Sequence, residues 1–313
     1  MKSKRRYRVS INPQRPQELE TTEIEESEHF SDFLEEPAVY DGSLPEEGFS
    51  ILFVDGVRRK ECLATIRDEE TGYVFEGAFL SLGAGALRVD YGRFNTIGES
   101  LVLSKIERLM AFRGFVPSEV WLGFKPLRIE GELNVEVNRY MKEELEARVA
   151  LLALKEAPAT LMVCDGTLSR KLRGTSCLGF IKSIKRLYID ASYIDLLYSL
   201  RPGQRSPILK IHYQQRQEDE EKTDKYTWYI KLSQHEGLHG LARVEAFPQK
   251  SLDILRRLAD LSAGILPLFV GESFQDRRSP QNLLPIGRLE MFLRLHLGDH
   301  NIIRREIEKF FHV

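Results

Sequence analysis

Hydrophobic and polar positions along this 313-residue chain fall into a few distinct patterns. From Phe49 to Val89 the pattern is β-like, with runs at 50–57, 60–68 and 73–89. The break after the first run is short, and DEETG at 68–72 reads as a hairpin loop, so the three runs predict an antiparallel meander. Charge alternating with leucine over 99–112 predicts a helix. The stretch VEVNRYMKEELEARVALLALKE predicts a longer helix over about 135–156 that stops before Pro158. The apolar run TLMVCDG follows at once and fits a strand covered on both faces. Further strands are predicted near 207–214, 226–233 and 238–247, with helices at 251–264, 284–297 and 300–311. No internal repeat is present, and no domain break is evident.

Three antiparallel strands, a helix, a central strand, mixed strands and C-terminal helices follow one another. That is the order of a ribonuclease H-like α/β fold, a mixed sheet flanked by helices. In it the meander's first strand lies in the sheet centre, beside the strand that follows the helix. Each of these two strands ends its apolar run on Asp-Gly: Ile51, Leu52, Phe53 and Val54 lead to Asp55, and ATLMVC leads to Asp165. The two aspartates are 110 positions apart, yet the fold makes them neighbours at one edge. A carboxylate closing a buried strand is costly unless something positive meets it, and a shared divalent metal ion is the simplest candidate. Asp-Gly as a plain turn signal is the alternative for either one.

Residues 1–48 differ from the rest. A basic tip (Lys2, Lys4, Arg5, Arg6, Arg8) gives way to a glutamate-rich stretch that buries little. It is expected to form a flexible acidic arm or a short docking helix around 25–34, leaving 49–313 as one domain. With 42% hydrophobic residues the chain can build a substantial core. Its net charge of −2 provides no global attraction to nucleic acid, so DNA contact requires a local basic patch. No apolar run reaches the roughly 18 residues of a membrane span, and the basic start lacks the apolar core of a secretion signal. Cys62, Cys164 and Cys177 have no metal-type spacing and read as small buried hydrophobes in a reducing cytoplasm. There is no GxxxxGK[ST] loop, no GxSxG elbow, and no HxxH or HxH pair. The glycines of LSLGAGALRVD sit in a strand and make no dinucleotide site.

Hydrolysis of phosphodiesters by two metal ions needs hard oxygen ligands, mostly Asp and Glu. Asp55 and Asp165 supply two. A third can come from Glu143, Glu144 and Glu146 on the preceding helix. Glu146 lines up with Val149, Ala150 and Ala153, whereas Glu144 lines up with Met141, Leu145, Arg148 and Leu152; the spacing leaves both open. Lys182 lies at the far side of the central strand, placed to meet a phosphate or to be an ordinary surface lysine. Arg243 and Glu245 share one face of their strand, for which an ion pair is the plain reading. Arg288, Glu290, Arg294 and His296 lie on a late helix, and Glu290 and Arg294 stand one turn apart.

Taken together and in order, FVDGVRRKE, the helical glutamates, VCDGTLS, GFIKS, WYIKLS…GLARVEAFP and SPQNLLPIGRLEMFLRLHLGD resemble the NurA nuclease family over roughly residues 49–299. The resemblance implies a ribonuclease H-like, manganese-dependent DNA nuclease that forms a cytoplasmic homodimer with a central channel. It also implies a hexameric HerA-type ATPase as partner in DNA end resection. Asp55 and Asp165 match the family's two DG aspartates, and the acidic helix position falls at Glu146 or Glu144. Metal-binding and catalytic roles are therefore expected at Asp55, Glu146 (or Glu144) and Asp165, with Mn2+ or Mg2+ as cofactor. Arg58, with Arg59 beside it, Lys182 and Arg243 are expected on the DNA backbone. The family's C-terminal histidine has no clean match, and Glu290 or His296 takes its place. Val57 stands where a small hydroxyl residue is usual. These two departures point to the alternative, a NurA-like subunit that clamps DNA and docks on the ATPase but cuts poorly.

Overall fold

The computed structural model describes residues 7–11, 29–45, 48–92, 100–114, 120–184, 187–213, 225–234, 237–271 and 282–311. Residues 1–6 of the basic tip, the glutamate-rich stretch at 12–28 and the polar hairpin tip at 214–224 lie outside the described residues. One large mixed sheet carries the fold. Its central strands are β4 (Ser50–Asp68), β5 (Val74–Asp90), β6 (Leu101–Arg113), β8 (Leu161–Asp165) and β9 (Cys177–Ile181). Adding β2 (His29–Phe33), β7 (Lys125–Ile129), β11 (Leu209–Tyr213), β12 (Lys225–Lys231) and β13 (Leu241–Ala246), the order is β2-β11-β12-β13-β9-β8-β4-β5-β6-β7. Three short strands lie off this path: β1 (Tyr7–Ile11) on β4, β3 (Tyr40–Asp41) on β10, and β10 (Gln204–Arg205) on β12.

The β4-β5-β6 meander is antiparallel, whereas β8 runs parallel to both β4 and β9. The meander's first strand is therefore central and sits beside the strand that follows the long helix, as its sequence order predicts. Its composition differs from the three expected runs. β4 is one strand through 50–68, and the expected turn after residue 57 is absent; a bulge between Lys60 and Cys62 takes up the irregularity. The 68–72 loop does close a hairpin, with the Asp68 carboxylate accepting from the Glu70 N–H at 2.9 Å. The third strand is β6, in the region expected to be helical. Its charged residues are consumed on both faces of the sheet: Glu107 accepts from the Tyr140 hydroxyl at 2.8 Å, and Arg108 donates to Ser81 at 2.9 Å. Pairing with β5 and β7 overrides the helical-looking pattern.

Ile51–Val54 shows why an unbroken apolar run belongs here. Leu52 and Val54 join one core, and Ile51 and Phe53 the opposite one; β8 divides in the same way, Met162 and Cys164 against Leu161 and Val163. All four residues from Ile51 to Val54 are fully buried. One face is covered by a continuous helix of three parts: α1 (Leu133–Tyr140), a π-helical turn (Met141–Glu146) and α2 (Ala147–Glu156). In an uninterrupted α-helix, Val137 and Ala150 would stand on nearly opposite sides. The wider π turn absorbs that drift, so both are buried against the same sheet. α4 (Leu252–Ile265), capped by Ser251, covers the other face, and buried Trp228 donates its indole N–H to Ser262 at 2.9 Å.

The short helix α3 (Ile194–Ser199) follows β9. α5 (Leu284–His296) and α6 (His300–Phe311) lie over the long meander. The Gly83–Ala86 stretch of β5 seats α5: a Cβ on Gly85 would lie 2.9 Å from Leu289 Cδ1. Within the segment expected to be an arm, 29–33 is a strand rather than helix. Glu35 is buried and takes both terminal nitrogens of the buried Arg205, at 2.6 and 3.1 Å.

Candidate metal centre

The parallel register of β4 and β8 pairs Ile51 with Leu161 through Val54 with Cys164. One step further along both strands stand Asp55 and Asp165. α5, drawn close by the small residues of β5, adds Glu290. One ligand atom from each of Asp55, Asp165 and Glu290 lies within 4.8 Å of the other two. From the helical side comes Glu146, which is 6% exposed.

The two Asp-Gly pairs use their glycines differently. At Gly56 a Cβ would stand 2.0 Å from Met141 Cε and 2.7 Å from Glu146 Oε1, so the missing side chain makes room for the π turn and its glutamate. Gly166 has φ +78°, a left-handed turn, and its N–H donates to the Phe180 carbonyl at 2.8 Å. Neither Asp-Gly is a plain turn signal alone.

Two lysines enter the cluster. Lys182 Nζ lies 2.9 Å from Asp165 Oδ2 and 4.0 Å from Glu290, and donates to Asn282 Oδ1 at 2.8 Å. Lys142 Nζ donates to Glu146 Oε2 at 2.6 Å and to the Asp165 carbonyl at 2.5 Å. Sequence reasoning did not single out Lys142. It stands one helical turn before Glu146, and that i,i+4 spacing is the signal that could have found it.

The site's electrostatics favour a cation. Burial, then the charges of Asp165 and Glu146, hold the Asp55 carboxyl well above the ordinary carboxylate range; Lys182 pulls the other way and Glu290 adds to the rise. Burial also raises Glu146, against the attraction of Lys142. Burial alone would lower Lys142, but Glu146, Asp165 and Asp55 outweigh it and its pKa is raised. Asp55 Oδ1 accepts from its own neighbour Gly56 N–H at 2.7 Å. Asp55 Oδ2 and Asp165 Oδ1 are buried with no hydrogen-bond partner. Orphaned carboxylate oxygens converging with a third carboxylate are the donor set that hard divalent cations take, and the acidic cluster can hold a metal ion.

The other predicted residues separate. Glu144 is exposed, pairs with Lys171 at 2.6 Å and is not part of the acidic cluster. His296 is exposed, with its ring stacked on Phe292 at 3.9 Å. Arg58 is near the cluster: burial lowers its pKa, while Glu146 and Asp55 act to raise it. Arg59 is held by Glu61 at 2.8 Å. Arg243 is buried, 3.5 Å from Glu245 and 4.7 Å over the Tyr188 ring, so the ion-pair reading describes it. Glu245 also binds Lys225 at 2.8 Å and accepts from the Leu168 N–H at 2.7 Å.

Carboxylates converging from two parallel strands and two helices on a mixed sheet define an α/β protein with an acidic cluster able to hold a cation. Residues 49–286, well over half of the chain, match the NurA domain. The chain belongs to the NurA family, and membership gives it a nuclease-related role. No curated protein matches the chain. Among the described residues no helix is long and apolar enough to cross a membrane.

Proposed function

We propose that this protein is a divalent-metal-dependent DNA nuclease built on a ribonuclease H-like catalytic sheet, with Mn2+ or Mg2+ as its cofactor. The observation that carries the reading is the convergence of Asp55, Asp165 and Glu290, with unpartnered oxygens on both aspartates. The sheet order, three antiparallel strands followed by two parallel ones, supports the fold assignment.

Asp55, Asp165, Glu290 and Glu146 would hold the metal. A divalent cation bound there supplies Lewis acidity at the phosphoryl oxygen and lowers the pKa of water. Lys182, held against Asp165, presents positive charge at the cluster's margin, where a scissile phosphate would gather negative charge. Lys142 holds the Glu146 carboxylate and the Asp165 backbone in one position. Arg58 adds a guanidinium beside the acids. Contacts of this kind read the phosphate backbone rather than sequence, so DNA binding should be sequence-independent and weaken with salt. In the cell we place the protein in the cytoplasm as a homodimer working with a HerA-type ATPase in DNA end resection, on the strength of family membership.

The competing reading is a clamp that holds DNA and cuts poorly. The ion pairs Lys142–Glu146 and Lys182–Asp165 favour it, because each already neutralises a carboxylate. Digestion of labelled single- and double-stranded DNA with Mn2+, Mg2+ or EDTA separates the two. Metal-dependent cutting that Asp55→Ala and Asp165→Ala abolish, in variants still folded by circular dichroism, supports the nuclease. Binding without cutting, even with the ATPase present, supports the clamp.

A further inference from the structure

Beside the acidic cluster lies an open cleft of about 650 Å3, within the usual size of a small-molecule site. Its walls mix apolar and polar surface in nearly equal shares, the apolar part coming from Ile184 and Leu187 beyond β9, Leu238 on the turn before β13, and Tyr198 at the end of α3. Tyr198 is 52% exposed, and its ring edge would lie 3.6 Å from a Cβ on Gly237. His239 and Lys182 add the polar groups.

Two features make this a built site rather than a dent between loops. The first is the anchoring of one wall. Lys231 is buried, and its ammonium donates to the carbonyls of Gly237 and His239 at 2.8 Å each. A buried cation thus fixes the turn that carries Leu238 and His239, with Gly237 in the left-handed conformation at φ +61°. The second is Lys182, which lines the cleft and also lies 2.9 Å from Asp165. One side chain therefore joins the cleft to the acidic cluster.

We propose that this cleft receives an unstacked nucleobase of the nucleotide next to the scissile phosphate. The inference rests on the nuclease reading and deepens it. A base has apolar faces and a polar edge; the cleft offers an exposed aromatic ring, aliphatic side chains, and the polar residues His239 and Ser183 in its lining. Lys182 stands where the base's own phosphate enters the acidic cluster. A paired, stacked base cannot turn into such a cleft without losing its stack, so the substrate class is single-stranded or frayed DNA rather than intact duplex. Because stacking is tolerant of base identity, little sequence preference follows.

The test is an abasic scan of a fluorescent single-stranded oligothymidine of about 16 nucleotides, with affinity measured by anisotropy in EDTA for the full chain and for Tyr198→Ala. Tyr198 is exposed, so its truncation should leave the fold intact, which circular dichroism checks. One abasic position is expected to lower wild-type affinity about tenfold, a typical loss for one stacked base. Tyr198→Ala should weaken the intact oligonucleotide by a similar factor and leave that abasic one unaffected. A flat scan, or losses that multiply independently, overturns the base cleft. Failure of the nuclease reading shows separately, as no metal-dependent cutting by the wild type, and leaves the binding scan readable.

Discussion

Asp55→Asn should make the metal-free protein more stable at neutral pH while removing its activity. Asp55 is 4% exposed, so solvent screens it little. One oxygen each from Asp165 and Glu290 lies within 4.8 Å of one of its own. At an effective dielectric constant of about 20, two unit charges 4.8 Å apart repel by about 3.5 kcal/mol. Lys182 and Lys142 offset part of this, so a net relief of about 1–3 kcal/mol is expected. Asparagine keeps the Oδ1 that accepts from Gly56, and its new amide N–H can donate to the neighbouring carboxylates. The pH dependence has a definite sign. The folded-state pKa of Asp55 is raised above its unfolded value, so the folded protein binds the proton more tightly. Below the unfolded pKa of about 3.9 both states are protonated and the penalty is absent. The penalty grows as pH rises from there and is complete above the folded pKa. Urea unfolding in EDTA, followed by far-ultraviolet circular dichroism, should show the variant's advantage near pH 7 and its disappearance near pH 4. A variant that is equally stable or less stable than wild type at both would refute the electrostatic account. With Mn2+ present the order should reverse, because wild type gains binding free energy that the variant lacks.

The remaining predictions concern neighbouring side chains. Glu146→Gln should reduce metal-dependent cleavage by at least about tenfold, whereas Glu144→Gln, altering an exposed pair worth less than about 1 kcal/mol, should leave both rate and stability near wild type; equal effects in a nuclease assay would remove Glu146 from the site. Gly56→Ala should cost about 1–3 kcal/mol from overpacking against Met141, and its displacement of Glu146 should lower metal affinity by calorimetry more than it lowers the melting temperature. Glu245→Ala should destabilise the fold by about 3–5 kcal/mol, since it strands Lys225 and Arg243 in the interior; a loss of DNA affinity with unchanged stability would mean that Arg243 faces the DNA after all.

Much of this architecture was legible from pattern alone. Unbroken apolar runs at 51–54 and 161–164 marked strands covered on both faces, and their shared Asp-Gly endings marked where they deliver charge. The C-terminal helices were equally readable, since α4 carries a serine cap and an amphipathic face, and α6 spans the 300–311 its pattern predicts. Local patterns record what a segment must bury, and for these segments that need decides the element. Other features depended on partners distant in sequence. β6 became a strand because β5 and β7 lie on either side of it, and its charges found Tyr140, Arg148 and Ser81 across two faces. Glu146 turns inward with Val149, Ala150 and Ala153, the face its helical spacing shares, while Glu144 pairs with Lys171 at the surface; only the packing of that face on the sheet separates the two. Glu290, not His296, reached the aspartates because the glycines of β5 let α5 approach that closely. Lys142 and Lys182 gained their places only when the sheet brought two Asp-Gly strands together. Which strands end in acid is written in the local pattern; what those acids meet follows from how closely helices and strands pack, a distance no single segment carries.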